Sequence, residues 1–133
     1  MKSARPILDP ARLAFARCLA FVIISQAILA IGQAQIAAVV PANEAAAHIG
    51  QYATVEGVVA KVFTSKSGNT FLNIGAASPN QTFTGWIPNS SPVKDSAALD
   101  GIEGKHVKIT GRIEMYKRKP EIRINAAEQL EVE

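Results

Sequence analysis

The sequence predicts an all-β domain: a five-stranded closed Greek-key barrel with a short helix between its third and fourth strands. Three observations predict it. First, a ten-residue pattern occurs twice, GQYATVEGVV at residues 50–59 and GKHVKITGRI at residues 104–113, each opening on glycine and carrying a second glycine seven residues later. Period-2 alternation puts Ala53, Val55, Gly57 and Val59 on one face of the first copy, and Val107, Ile109, Gly111 and Ile113 on one face of the second. A glycine inside such a run marks a bulge or a sharp coil, as a small barrel needs at its corners. Second, two shorter alternating segments lie between the copies and another follows them, the count and order that a five-stranded barrel requires. Third, the stretch 88–103 changes to Pro, Ser, Asp and Ala, which suits a connecting helix.

The elements follow in order. Lys2, Arg5, Arg12 and Arg17 form a basic lead, and residues 18–31 (CLAFVIISQAILAI) are uncharged and mostly apolar. This is the layout of a secretory signal, residues 1–34, with Gly32 and Ala34 placed for cleavage after Ala34. The alternative is an uncleaved anchor over residues 18–40, since no charge appears from Cys18 until Glu44. Both place the folded part outside the cytoplasm, periplasmic or secreted. Residues 35–47, rich in alanine, read as a linker with a possible helical turn over 43–48. The domain proper spans 48–133.

Its first strand covers 51–64, and Ser65, Lys66, Ser67, Gly68 and Asn69 form a polar hairpin loop with residues that tolerate positive φ. The second strand is 70–74 (TFLNI), and the third is 82–87 (TFTGWI). A short helix around Ala97, Ala98 and Leu99 sets Leu99 and Ile102 to cover one barrel end. The fourth strand is 106–116, residues 117–120 are a hairpin loop, and the fifth strand runs from Glu121 to about Val132.

Composition narrows the function classes. The full chain carries a formal charge of +3, but without residues 1–34 it holds ten Lys and Arg against ten Asp and Glu, a formal zero. The sequence pI near 9.2 therefore reports the leader, and global charge gives no support for nucleic-acid binding. Cys18 is the single cysteine, so the domain must be stable without a disulfide. Arg17 before it is unsuited to a lipoprotein cleavage site.

The segments HIGQYATVEGVV, SGNTFLNIG, FTGWI, GKHVKITGRI and YKRKPEIRI, together spanning residues 48–133, resemble the oligonucleotide/oligosaccharide-binding (OB) fold, and specifically small exported bacterial OB-fold domains of the nucleic-acid-binding type. That resemblance implies a binding face on the second and third strands, flanked by the loops joining strands one to two and four to five. The residues falling there are Lys66, Asn69, Phe71, Trp86, Tyr116, Lys117, Arg118 and Lys119. Single-stranded DNA or RNA needs this combination, cations for phosphates and flat rings for bases. Taken alone, a Lys-Arg-Lys turn is a solvated hairpin tip, and a lone tryptophan in a small barrel serves equally as a core plug. Phe63 is expected inside the barrel, Phe71 and Phe83 on either face, and Tyr116 outside.

No catalytic constellation emerges, and no cofactor is implied. His48 and His106 lack partners for a metal site. The resemblance extends to exported thermonuclease-like barrels, but Ser67, Gly68, Asn69 and Thr70 stand where that pattern places aspartates, so a degenerate nuclease is the least favoured reading. Glu56, Glu114 and Glu121 alternate as solvent-facing residues do. A non-catalytic binding protein for single-stranded nucleic acid or another extended polyanion is the expectation. A periplasmic protein- or small-ligand-binding module is the alternative, with the fifth strand offering a free edge to an envelope protein or to a second copy.

Overall fold

The structure is a computed structural model that describes residues 37–133. The signal or anchor expected over 1–34 lies outside the described residues. Among the described residues seven strands follow one another: β1 (Ala38–Pro41), β2 (Tyr52–Thr64), β3 (Thr70–Ile74), β4 (Phe83–Ile87), β5 (His106–Tyr116), β6 (Lys119–Arg123) and β7 (Leu130–Val132). Five of them close a ring, with β2 paired to β3, β3 to β4, β4 to β6, β6 to β5, and β5 back to β2. Every pairing in the ring is antiparallel except β4 with β6. The five strands expected from the sequence are β2 to β6, and their order is that of a Greek-key barrel.

The sequence repeat has a structural reason. Its two copies are the two arms of one antiparallel ladder, with Ala53 opposite Gly111 and Gly57 opposite Val107. Each copy's opening glycine donates its amide to the last residue of the other: Gly50 N to Ile113 O at 2.7 Å, and Gly104 N to Val59 O at 2.7 Å. Gly50 and Gly104 have φ of +86° and +84°, which only glycine adopts without strain. The inner glycines do different work. They are regular members of the ladder, placed where each long strand leaves one partner for the next: β2 from β5 to β3, and β5 from β2 to β6. A Cβ on Gly57 would sit 2.5 Å from Ile74 Cγ2, and one on Gly111 2.7 Å from Ile122 Cγ2. They are corners because side chains from the adjoining strand fill the space a methyl would need.

The one irregularity lies at Ala60, between the pairs Val59 with Ile74 and Lys61 with Asn73. The extra residue reverses the side-chain parity of the strand beyond it. Phe63, expected inside by alternation, is thereby turned outward and is 57% exposed. Phe83 packs inside with Leu72, Ile74, Ile109, Ile113 and Ile122, all essentially without solvent contact.

Four further features depart from the sequence reading. Residues 37–47, expected as a linker, pack as part of the compact unit 37–133. β1 adds a strand parallel to β2, and the 3-10 helix Ala42–His48 buries Ala42 and Ala45. The connection between β4 and β5 is two 3-10 turns, Pro92–Asp95 and Ala97–Leu99, and not an α-helix. Pro92 follows Ser91, whose Oγ accepts from Val93 N at 3.2 Å, and Val93 and Ile102 plug the core. The expected fifth strand is two. β6 ends at Arg123, and the strand is interrupted around Gln129, whose Oε1 accepts from the amides of Asn125 and Ala126 while its Nε2 donates to Thr110 O and Arg123 O. The chain resumes in the same direction as β7, again antiparallel to β5 and on the edge of β5 away from β2, where Glu133 meets Lys108 and His106 at 2.9 Å each. Finally, β6 is paired on both sides, so within the expected fifth strand the free edge lies at β7, and β1 presents a second edge.

Candidate functional site

The outward face of the ring between β2 and β6 carries two cross-strand rows. One is Phe63, Phe71, Trp86 and Arg123, each paired with the next. The other is Lys61, Asn73, Thr84, Glu121 and Glu114. The first row exists because the Ala60 bulge brings Phe63 to the side of Phe71. The two phenyl rings lie 6.3 Å apart at 25°. Trp86 is half-buried on this face, and the Arg123 guanidinium lies 4.9 Å from its ring centre. The tryptophan is therefore not a core plug.

Residues 75–82 form one wall over the second row and the hairpin tip forms another. A cleft of about 410 Å³ results, lined by Phe63, Phe71, Asn73, Ser78, Pro79, Gln81, Thr84, Tyr116, Lys117, Lys119 and Glu121. Beside it a recess of about 150 Å³ is lined by Asn69, Phe71, Trp86, Tyr116 and Glu121. Polar side chains are unusually deep here: Asn73, Thr84 and Glu121 are 4%, 5% and 8% exposed. Gln81 Oε1 and the Trp86 indole Nε1–H are buried with no hydrogen-bond partner among the described residues. Unsatisfied polar atoms in a folded protein are uncommon, and a cluster at a cleft points to a ligand or water that completes them.

The hairpin tip is tighter than the sequence suggested. Tyr116 pairs with Lys119 and Met115 with Pro120, leaving a two-residue turn of Lys117 and Arg118, with φ of 46° and 66°. Both values are left-handed, the geometry of a type I′ turn that ordinarily selects Asn and Gly. Lys117 Nζ lies 5.3 Å from the Tyr116 ring centre, and Tyr116 is 52% exposed.

Six of the eight residues marked from the sequence line the cleft or recess: Asn69, Phe71, Trp86, Tyr116, Lys117 and Lys119. Lys66 and Arg118 are exposed but line neither. Asn69 also holds its own loop, accepting from Asn89 N at 2.9 Å through Oδ1. Sequence reasoning placed Asn73 on the strand surface of the binding face but missed Phe63, Arg123 and the rest of the polar row. Alternation assigns Arg123 and Glu121 to the outer face, but nothing local reveals that residues 75–82 fold over Glu121. Its carboxyl, read from the sequence as solvent-facing, is buried and paired across the strands with Glu114. Burial first, and the Glu114 charge second, push its pKa up to about 7. Among the described residues no three His, Cys, Asp or Glu side chains gather as metal ligands would.

This mostly-β architecture, with its five-strand ring, a parallel closing pair and only short helices, is consistent with an OB-fold. The chain is similar to a solved structure assigned as an aspartyl-tRNA synthetase from Leishmania major Friedlin, with a TM-score of 0.50 and 8% identity, over 76% of this chain and 21% of that one. The chain thus spans about a fifth of that protein's length, and the likeness is one of fold. No family model and no curated protein matches the sequence.

Proposed function

We propose that this chain is a non-catalytic OB-type domain that binds single-stranded nucleic acid across the cleft between β3, β4 and the β5–β6 hairpin. The observation that carries the reading is the aromatic row Phe63, Phe71 and Trp86 beside Tyr116, Lys117 and Lys119. Stacking against such rings contributes about 1–3 kcal/mol per base whatever the sequence, and neighbouring cations hold the phosphates. Arg123 adds a guanidinium plane over the indole. The fold likeness to a protein named for tRNA chemistry agrees with nucleic-acid binding in general. An exported location, periplasmic, secreted or anchored, remains part of the proposal and rests on the apolar leader alone.

The test is titration of the protein with a short oligothymidylate at several salt concentrations. Affinity is expected to fall steeply with salt. K117A/K119A should remove two phosphate contacts and flatten the log–log slope by about 1.4, whereas R118A and K66A, outside the cleft, should change it less. No binding at low salt overturns the reading in favour of an envelope module for a protein or small ligand.

A further inference from the structure

The cleft contains more than a generic nucleic-acid groove requires. Phosphates and stacked bases ask for cations and rings, and a carboxylate facing them works against affinity. Yet Glu121, more than nine-tenths buried, lines both the cleft and the recess, and no side-chain hydrogen bond to it exists among the described residues. The recess, at about 150 Å³, is below the roughly 300–1,000 Å³ of sites for drug-sized ligands and suits one planar ring. Two of its five lining residues are Phe71 and Trp86, which supply flat apolar surface, and the buried Trp86 Nε1–H is a second unpaired polar group.

An ionised carboxylate has acceptors only, two oxygens side by side. Among the unpaired bases, guanine alone presents two adjacent donors, N1–H and the N2 amino group, on its Watson–Crick edge. Adenine and cytosine present one donor beside one acceptor, and thymine or uracil a single donor between carbonyls. Resting on the nucleic-acid reading above, we infer that Glu121 is a base-reading residue: the recess takes one unpaired guanine, with N1–H and N2–H donating to the Glu121 carboxylate and the ring lying against Phe71 and Trp86.

The preference carries its own pH signature. Glu121 faces Glu114 and Tyr116 on β5, Lys117 at the tip, Lys119 and Arg123 on its own strand, and only the neutral Asn73, Phe71, Thr84 and Trp86 on β3 and β4. With a pKa near 7 its carboxyl is ionised at pH 8.5 and protonated at pH 5.5. The protonated group offers one donor and one acceptor, which match adenine or cytosine and not guanine.

Trp86 is the single tryptophan of the chain, so its fluorescence reports on this recess. The full chain is titrated with d(TTGTT), d(TTATT), d(TTCTT) and d(TTTTT) at low salt, at pH 8.5 and pH 5.5. At pH 8.5 the guanine pentamer is expected to bind at least about tenfold tighter than the others, the discrimination of one bidentate pair. At pH 5.5 that advantage should disappear. E121Q, which replaces one acceptor by a donor in the same volume, should bring the four affinities within about twofold at pH 8.5. Equal, salt-sensitive binding of all four pentamers by the wild type would overturn the guanine assignment and leave the nucleic-acid reading standing, as would a guanine preference that survives in E121Q. Absence of binding by any pentamer at low salt overturns both.

Discussion

Single residues decide how this face differs from a plain sheet. Alternation is a sound guide to β3, where Leu72 and Ile74 go in and Phe71 and Asn73 go out. It fails at Phe63 because one bulged residue, Ala60, carries no mark in a segment that reads YATVEGVVAKVFT. It fails differently at Glu121, whose outward direction is legible but whose burial depends on a loop more than thirty positions earlier. Burial has a consequence for stability. A carboxyl that titrates near 4.5 when exposed and near 7 in the folded protein binds a proton more tightly when folded. Its contribution is full below pH 4.5, declines as pH rises toward 7, and is lost above that. E121Q, which cannot ionise, should therefore equal the wild type in urea denaturation at pH 4 and exceed it at pH 8, by about 3 kcal/mol at most. A difference independent of pH would contradict the burial of this group.

At the scale of elements, the hairpin tip and the interruption between β6 and β7 show opposite economies. Lys117 and Arg118 occupy left-handed conformations that cost side-chain-bearing residues about 1–2 kcal/mol each, where Asn and Gly would fit without strain. Strain of this kind persists where the side chains are needed. K117N/R118G should raise the unfolding free energy by about 1–2 kcal/mol while weakening oligothymidylate binding, a trade measurable by pairing denaturation with titration. No rule of turn composition points to a two-residue turn at Lys-Arg, which is why the tip reads as a longer loop. Gln129 is the converse case. Four hydrogen bonds of 2.8 to 3.0 Å from one amide tie the 123–126 backbone to Thr110. Q129A should lose about 2–6 kcal/mol by denaturant titration, at about 0.5–1.5 kcal/mol per bond, and Q129E should also be destabilised because it keeps the acceptor but loses both donors. A single glutamine in an AAEQLEV run gives no warning of this.

For the molecule as a whole, the barrel was legible because its longest ladder is written twice in the sequence, and the additions were not because they are short and compositionally bland. AVVP at β1 and LEV at β7 are too brief for alternation to speak, and the alanine-rich stretch between β1 and β2 resembles a tether until its small side chains are seen filling the barrel. Ala45 has no solvent exposure, Val40 5% and Ala42 8%. These residues, with Val93 and Ile102 elsewhere, close a core that the ring by itself leaves open to water. The boundary of the folding unit thus lies near Ala37 and not at His48. A chain starting at Ala37 should unfold cooperatively, whereas one starting at Ile49 should lose the burial of Val40, Ala42 and Ala45 together with the β1 ladder to β2. At roughly 25 cal/mol per Å² of apolar surface, that loss amounts to several kcal/mol, a large share of the 5–15 kcal/mol that holds a domain of this size. Thermal denaturation of the two lengths side by side decides the matter. Equal midpoints would return residues 37–48 to the status of a linker, while a fall of ten degrees or more in the shorter chain, on the order expected from about 2 kcal/mol or more in a domain this small, would make the N-terminal strand and 3-10 helix a structural part of the barrel.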